Sequence, residues 1–96
     1  MISQKHISYL QEKTRKYFPD KEKVKIFIFG SSLDENRKRF FDIDLGFKGD
    51  FATEDLAFLR GGFQESNFPY KVDLINFNKV SKDFEKTVFS GKIEWL

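Results

Sequence analysis

Three apolar runs, each ended by turn-forming residues, alternate with stretches of helical periodicity along the chain. In Val24 to Phe29 the apolar pattern is broken only by Lys25, which predicts a strand covered on both sides or central in a sheet. Asp42 to Lys48 alternates. In a strand, side chains repeat with period 2, so Asp42 and Asp44 share one face while Ile43 and Leu45 take the other. Gly49-Asp50 ends that run. Tyr70 to Phe77 predicts a third strand, with Asp73 on the face shared by Ile75 and Phe77. An aspartate in the middle of an apolar strand is costly to bury unless it is paired, hydrogen-bonded or bound to metal.

Helical spacing fills the intervals. Residues 3 to 18 predict a helix with Ser3 as N-cap and Pro19 closing the far end, its stripe formed by Ile7, Leu10, Thr14, Tyr17 and Phe18. His6 borders that stripe and reads as a surface or half-buried helix residue rather than a catalytic one. Leu33 to Phe41 has room for a turn or two of helix followed by a loop, and Phe40-Phe41 re-enters apolar surroundings. A third helix opens at Thr53 as N-cap, with Glu54 and Asp55 in its first turn. Its inner face is Ala52, Leu56, Leu59 and Phe63, and Phe58 points outward to solvent or a partner. Gly61-Gly62 either ends this helix or brings it close to another backbone. Residues 79 to 90 predict a last helix with Val80, Phe84 and Val88 as its stripe. The tail, Ile93 to Leu96, is apolar enough to dock on this domain or on another chain.

This order implies an α/β (α+β) fold, a small mixed β-sheet of about three strands with helices packed on it. At 96 residues the chain is expected to be a single domain spanning 1–96. No run approaches a membrane span, and the N-terminus lacks the apolar core of a signal peptide, so cytoplasmic residence is expected. The absence of cysteine removes disulfides, thiolate zinc sites and thiol catalysis. A net charge of +2 is too small to suggest duplex nucleic acid as a partner. Thirteen phenylalanines exceed what one small core consumes, so most are read as core and the remainder as partner surface.

The candidate chemistry lies where the first two strands meet. Gly30 permits a tight turn, and Ser31 and Ser32 follow where a helix can begin, with N–H and hydroxyl donors aimed at one spot. Alone, such a turn is either a plain strand-ending loop or an anion grip. Asp42 and Asp44 stand eleven and thirteen residues beyond Ser31, and Asp73 lies in another strand. Carboxylates held close repel one another or take up a proton unless a cation sits between them, and Mg2+ suits hard oxygen ligands. Phosphoryl and nucleotidyl transfer use this inventory, with two cations roughly 4 Å apart and donors on the outer phosphates. Arg37, Lys38 and Arg39 are either triphosphate contacts or, for at least two of them, a solvated loop.

Gly30-Ser31, ten residues, then Asp42-Ile43-Asp44, with Val72-Asp73-Leu74 on a later strand, resembles the minimal nucleotidyltransferases of the DNA polymerase beta-type superfamily. The likeness runs from the leading helix to the tail Phe89 to Leu96. It implies that Asp42, Asp44 and Asp73 are catalytic and metal-binding, with Asp42 and Asp44 on both Mg2+ ions. By the same resemblance Asp73 ligates the catalytic ion and helps draw the acceptor proton, and Gly30, Ser31 and Ser32 hold the triphosphate of ATP. It further implies AMP transfer to a hydroxyl, a tyrosine, of a small helical HEPN-type toxin, with this chain as the antitoxin and a homodimer or hetero-oligomer as the assembly. Two alternatives stand beside it: a non-catalytic, nucleotide-binding or sequestering antitoxin, and transfer to a small hydroxylated molecule. Two positions depart from the family pattern. Asp34-Glu35 follows the Gly-Ser turn where basic residues are common, and Phe41 precedes the first aspartate where serine is common.

Overall fold

The computed structural model describes residues 1–35 and 42–96. Readings that fall on 36–41, namely the roles of Arg37, Lys38 and Arg39, the Phe40-Phe41 re-entry, the Phe41 departure and the end of the short helix, lie outside the described residues. The elements run α1 (Gln4–Tyr17), β1 (Val24–Phe29), a 3-10 turn (Ser31–Leu33), β2 (Asp42–Gly49), α2 (Thr53–Gln64), β3 (Lys71–Asn76), α3 (Lys82–Phe89) and β4 (Glu94–Trp95). The sheet order is β3-β2-β1-β4, with β1 antiparallel to β2 and β4, and β2 parallel to β3. This is the mixed α/β sheet expected, with one strand more. The fourth strand is the tail: Trp95 pairs with Phe27, Glu94 with Ile28, and the Leu96 N–H donates to the Ile26 carbonyl at 2.9 Å. Two residues are too few to show a period, so this strand exists only because β1 offers it an edge.

The two faces of the sheet are covered unequally. Ile26, Ile28, Ile43, Leu45, Phe47 and Leu74 pack beneath Ile7 and Leu10 of α1 and Leu56, Leu59 and Phe63 of α2. On the other face Phe27, Phe29 and Phe77 form a smaller aromatic cluster under α3, which buries no residue of its own. Phe84 touches Phe29 and Phe77 yet stays 43% exposed, so the predicted α3 stripe is only half realised, and Val80 precedes the helix. Gly46 lies under this cluster. A Cβ there would stand 2.3 Å from Phe27 and 2.8 Å from Phe77.

Local details correct several expectations. Ser3 does cap α1, its hydroxyl accepting from the His6 N–H. Tyr17, placed in the buried stripe, is instead exposed: its hydroxyl reaches out over Gly62 of α2, and a phenol tip favours water. Helix α2 begins one residue earlier than predicted in its capping sense. Ala52 is the N-cap, it is exposed, and it makes no side-chain hydrogen bond. Gly61-Gly62 does not end α2, which continues to Gln64, and Gly62 gives Tyr17 and Lys13 of α1 room to approach. Phe58 is 69% exposed, as its position opposite Leu56 and Leu59 requires. The Arg15 guanidinium donates to the carbonyls of Phe18, Val24 and Leu96 at 2.9–3.1 Å, tying the end of α1 to β1 and the tail.

Because two aromatic rings occupy the space above Gly46, Gly46→Ala is expected to lower the free energy of unfolding by about 1–3 kcal/mol, the usual cost of overpacking. Urea denaturation read by far-UV circular dichroism checks this; an unchanged midpoint would show that Phe27 and Phe77 move aside without cost.

Candidate functional site

Strand β1 delivers its C-terminal end to Gly30, whose φ of 86° lies in the left-handed region that glycine adopts freely. A Cβ at Gly30 would also lie 2.8 Å from Asp44 Oδ2, so a larger residue would have to push that carboxylate aside besides straining the backbone. The chain then closes its 3-10 turn, the Leu33 N–H donating to the Gly30 carbonyl and the Asp34 N–H to the Ser31 carbonyl. Ser31 is half-buried at this turn. Ser32 is fully buried, its backbone carbonyl accepts from the Ile2 N–H at 2.8 Å, and its hydroxyl has no hydrogen-bond partner among the described residues.

Register brings the carboxylates beside this turn. Asp44 is opposite Phe29 on β1 and opposite Asp73 on β3, so the three form one row across the sheet. Neighbouring strands lie ~4.8 Å apart, and Asp42 sits two positions along β2 from Asp44, ~7 Å away on the same face. Asp42 is exposed, and Asp44 and Asp73 are half-buried. Asp73 therefore escapes the burial cost expected of it, because β3 is the edge strand and water reaches the carboxylate. Asp44 bears the strain of the row: burial pushes its carboxyl above the usual aspartate range, and the charges of Asp73 and then Asp42 push it further.

Sequence reasoning missed two cations at the site. Lys71 pairs in register with Asp42, and its Nζ stands 3.8 Å from Asp73 Oδ1 with 71% of the side chain exposed. Its position two residues before Asp73 was the available signal. Lys92 reaches back from the segment before β4 to Glu35 Oε1 at 3.6 Å, so one of the two acids after the Gly-Ser turn has a counter-charge supplied from far along the chain. Gly30, Asp34 and Lys92 line a cleft of about 440 Å3 with Phe29 as its apolar wall.

The donor set is carboxylate oxygen, the chemistry that suits a hard divalent cation, and the raised pKa of Asp44 marks negative charge that such a cation would relieve. The side chains as they stand do not converge into a ready-made cage: no group of three His, Cys, Asp or Glu among the described residues is so arranged. His6 takes no part. Its ring packs edge-on against Phe68 and Tyr70, a half-buried helix residue as expected.

A carboxyl whose folded pKa is raised favours folding while it is protonated, and that contribution is lost as pH rises through the folded value. Asp44→Asn, neutral at every pH, is therefore expected to melt at a higher temperature than the parent chain at pH 7 without divalent ions. The gap should close as pH falls below the ordinary aspartate range. Thermal melts across pH 3 to 8, a range of about five units around the aspartate value, would count against the repulsive row if the variant were less stable at neutral pH.

Residues 12–94 match the family model described as Polymerase beta, Nucleotidyltransferase. A Haemophilus influenzae protein named "Probable protein adenylyltransferase MntA" is 31% identical over 65 residues, which cover 66% of this chain and 57% of that protein. The match thus spans little more than half of the relative's length. No helix among the described residues is long and apolar enough to cross a membrane. With the family match covering most of its length and a mixed sheet of the corresponding form, the chain belongs to the polymerase beta nucleotidyltransferase family.

Proposed function

We propose that this chain is a Mg2+-dependent protein adenylyltransferase that moves AMP from ATP onto a hydroxyl, a tyrosine, of a partner protein. We further assign the partner as a HEPN-type helical toxin, which makes this chain the antitoxin of the pair. The observation that carries the reading is the row of Asp44 and Asp73, with Asp42 on the same face, beside the Gly30-Ser31 turn. Family membership supports nucleotidyl transfer, and the name of the Haemophilus relative, a probable protein adenylyltransferase, supports a protein acceptor.

In this reading Gly30 and Ser31 bind the outer phosphates through the turn's N–H and hydroxyl donors, and Ser32 supports the turn from beneath. Asp42 and Asp44 would hold two Mg2+ ions, with Asp73 on one of them. When bound, the ions neutralise charge on the phosphates and lower the pKa of the acceptor hydroxyl. Asp73 faces water at the sheet edge, where it can accept the acceptor's proton. The acceptor oxygen bonds to the α-phosphorus, the bond from that phosphorus to the β-phosphate bridging oxygen breaks, and pyrophosphate leaves. The exposed aromatics Phe58 and Trp95 are the surfaces offered to a partner or a second copy.

Incubating the purified chain with the protein encoded beside it, ATP and Mg2+ should add one or more AMP units to that neighbour, read by intact mass spectrometry. Asp42→Asn and Asp44→Asn should each slow the addition by at least about a hundredfold, the scale seen when a transition-state contact is removed. A tight complex with no mass gain, unaffected by either substitution, would replace catalysis with sequestration.

A further inference from the structure

We infer that Lys71 is the built-in counter-ion of the carboxylate row: it neutralises Asp73 in the metal-free chain and sets how tightly a divalent cation binds there. This rests on the metal-dependent reading above. Period 2 along β3 puts Lys71 on the face of Asp73, the parallel register sets its backbone opposite Asp42, and its ammonium pairs with Asp73. Its contact, 3.8 Å to Asp73 Oδ1, is with a carboxylate that would hold the divalent ion.

Among the described residues the other nearby groups leave this role to Lys71: Arg60 lines the same pocket as Lys71 and Asp73 but donates to the Leu74 carbonyl at 3.4 Å. Asp44 adds negative charge, and Phe29 on β1 is apolar. On α3, Glu85 is engaged with Lys48 further along the same face, and Lys92 is engaged with Glu35 beyond the turn. Among the described residues, Lys71 is the cation the structure places against Asp73.

Charge and exposure decide the outcome of the competition. An exposed ion pair between single charges is weak, and Lys71 is largely in water, so a doubly charged ion that prefers carboxylate oxygen displaces it readily. The displaced ammonium remains within a few bonds of the site and repels the ion that replaced it. Lys71 thus relieves the row when no cation is bound and lowers affinity when one is.

The test is calorimetric titration of the chelator-treated full chain with Mn2+ or Mg2+. Lys71→Met should bind the ion about three- to tenfold more tightly than the parent at about 0.05 M salt, and the gap should close towards about 1 M salt as charges are screened. Lys71→Arg should retain the parent affinity. In an Asp73→Asn background, Lys71→Met should gain less affinity than in the parent background, because the ion pair is already gone and only the repulsion of the bound ion remains. The metal-free Lys71→Met chain should melt below the parent, and saturating Mg2+ should remove the difference. Unchanged or weaker binding by Lys71→Met at low salt, beside a parent chain that binds, overturns the counter-ion role alone. A parent chain that binds no divalent ion overturns the metal reading and this inference together.

Discussion

The register of β2 between β1 and β3 is the constraint on which the rest of the molecule depends. Side chains on a strand alternate, so a slip of one residue would carry Asp42 and Asp44 into the layer beneath α1 and α2 and put Ile43 and Leu45 in water. Unpaired carboxylates in that layer would cost several kcal/mol each. Hydrophobic burial on one face therefore selects the chemistry on the other. The same pairing puts the Asp44 carboxylate against Gly30, so the strand register joins the turn to the acidic row.

That arrangement holds together despite its charges. The apolar layer formed by Ile26, Ile28, Ile43, Leu45 and Phe47 is fully buried and packs against two helices, whereas the acids lie at the open end of the opposite face. Burial of four or five such side chains, at about 1.5–3 kcal/mol each, outweighs the mutual repulsion of partly solvated carboxylates. The repulsion is concentrated on Asp44, which has an acid on either side of it, one along the strand and one across. Stability and chemistry are thus assigned to different sides of the same three strands.

Much of this could be read from the amino-acid order, and the limits were physical. Helix α1 with its Ser3 cap, strands β1 and β2 and the outward Phe58 follow from local pattern, because cap chemistry and side-chain period act within a few residues. The shared face of Asp42 and Asp44 follows from the same period. That Asp73 comes alongside Asp44 requires knowing that β3 lies next to β2 and in which register, which no single strand encodes. The half-exposed state of Asp73 depends on β3 being an edge, a property of strand order. Lys92 meets Glu35 through contacts distant in sequence, and β4 exists only against β1. Gly46 reads as an unremarkable glycine until two phenylalanine rings, Phe27 of β1 and Phe77 just past β3, close over it. Tyr17 shows the opposite failure: helical spacing assigned it inward, and its hydroxyl drew it out.

The uneven covering of the sheet has one more consequence. Helix α3 contributes no fully buried side chain, so lifting it away uncovers Phe27, Phe29 and Phe77 without disturbing the layer under α1 and α2. Backbone amides of α3 should accordingly exchange with solvent deuterium through a local opening, while those of β1 and β2 wait for global unfolding. The molecule has a thin aromatic cover on the side that carries its acids and a fully buried apolar layer on the other.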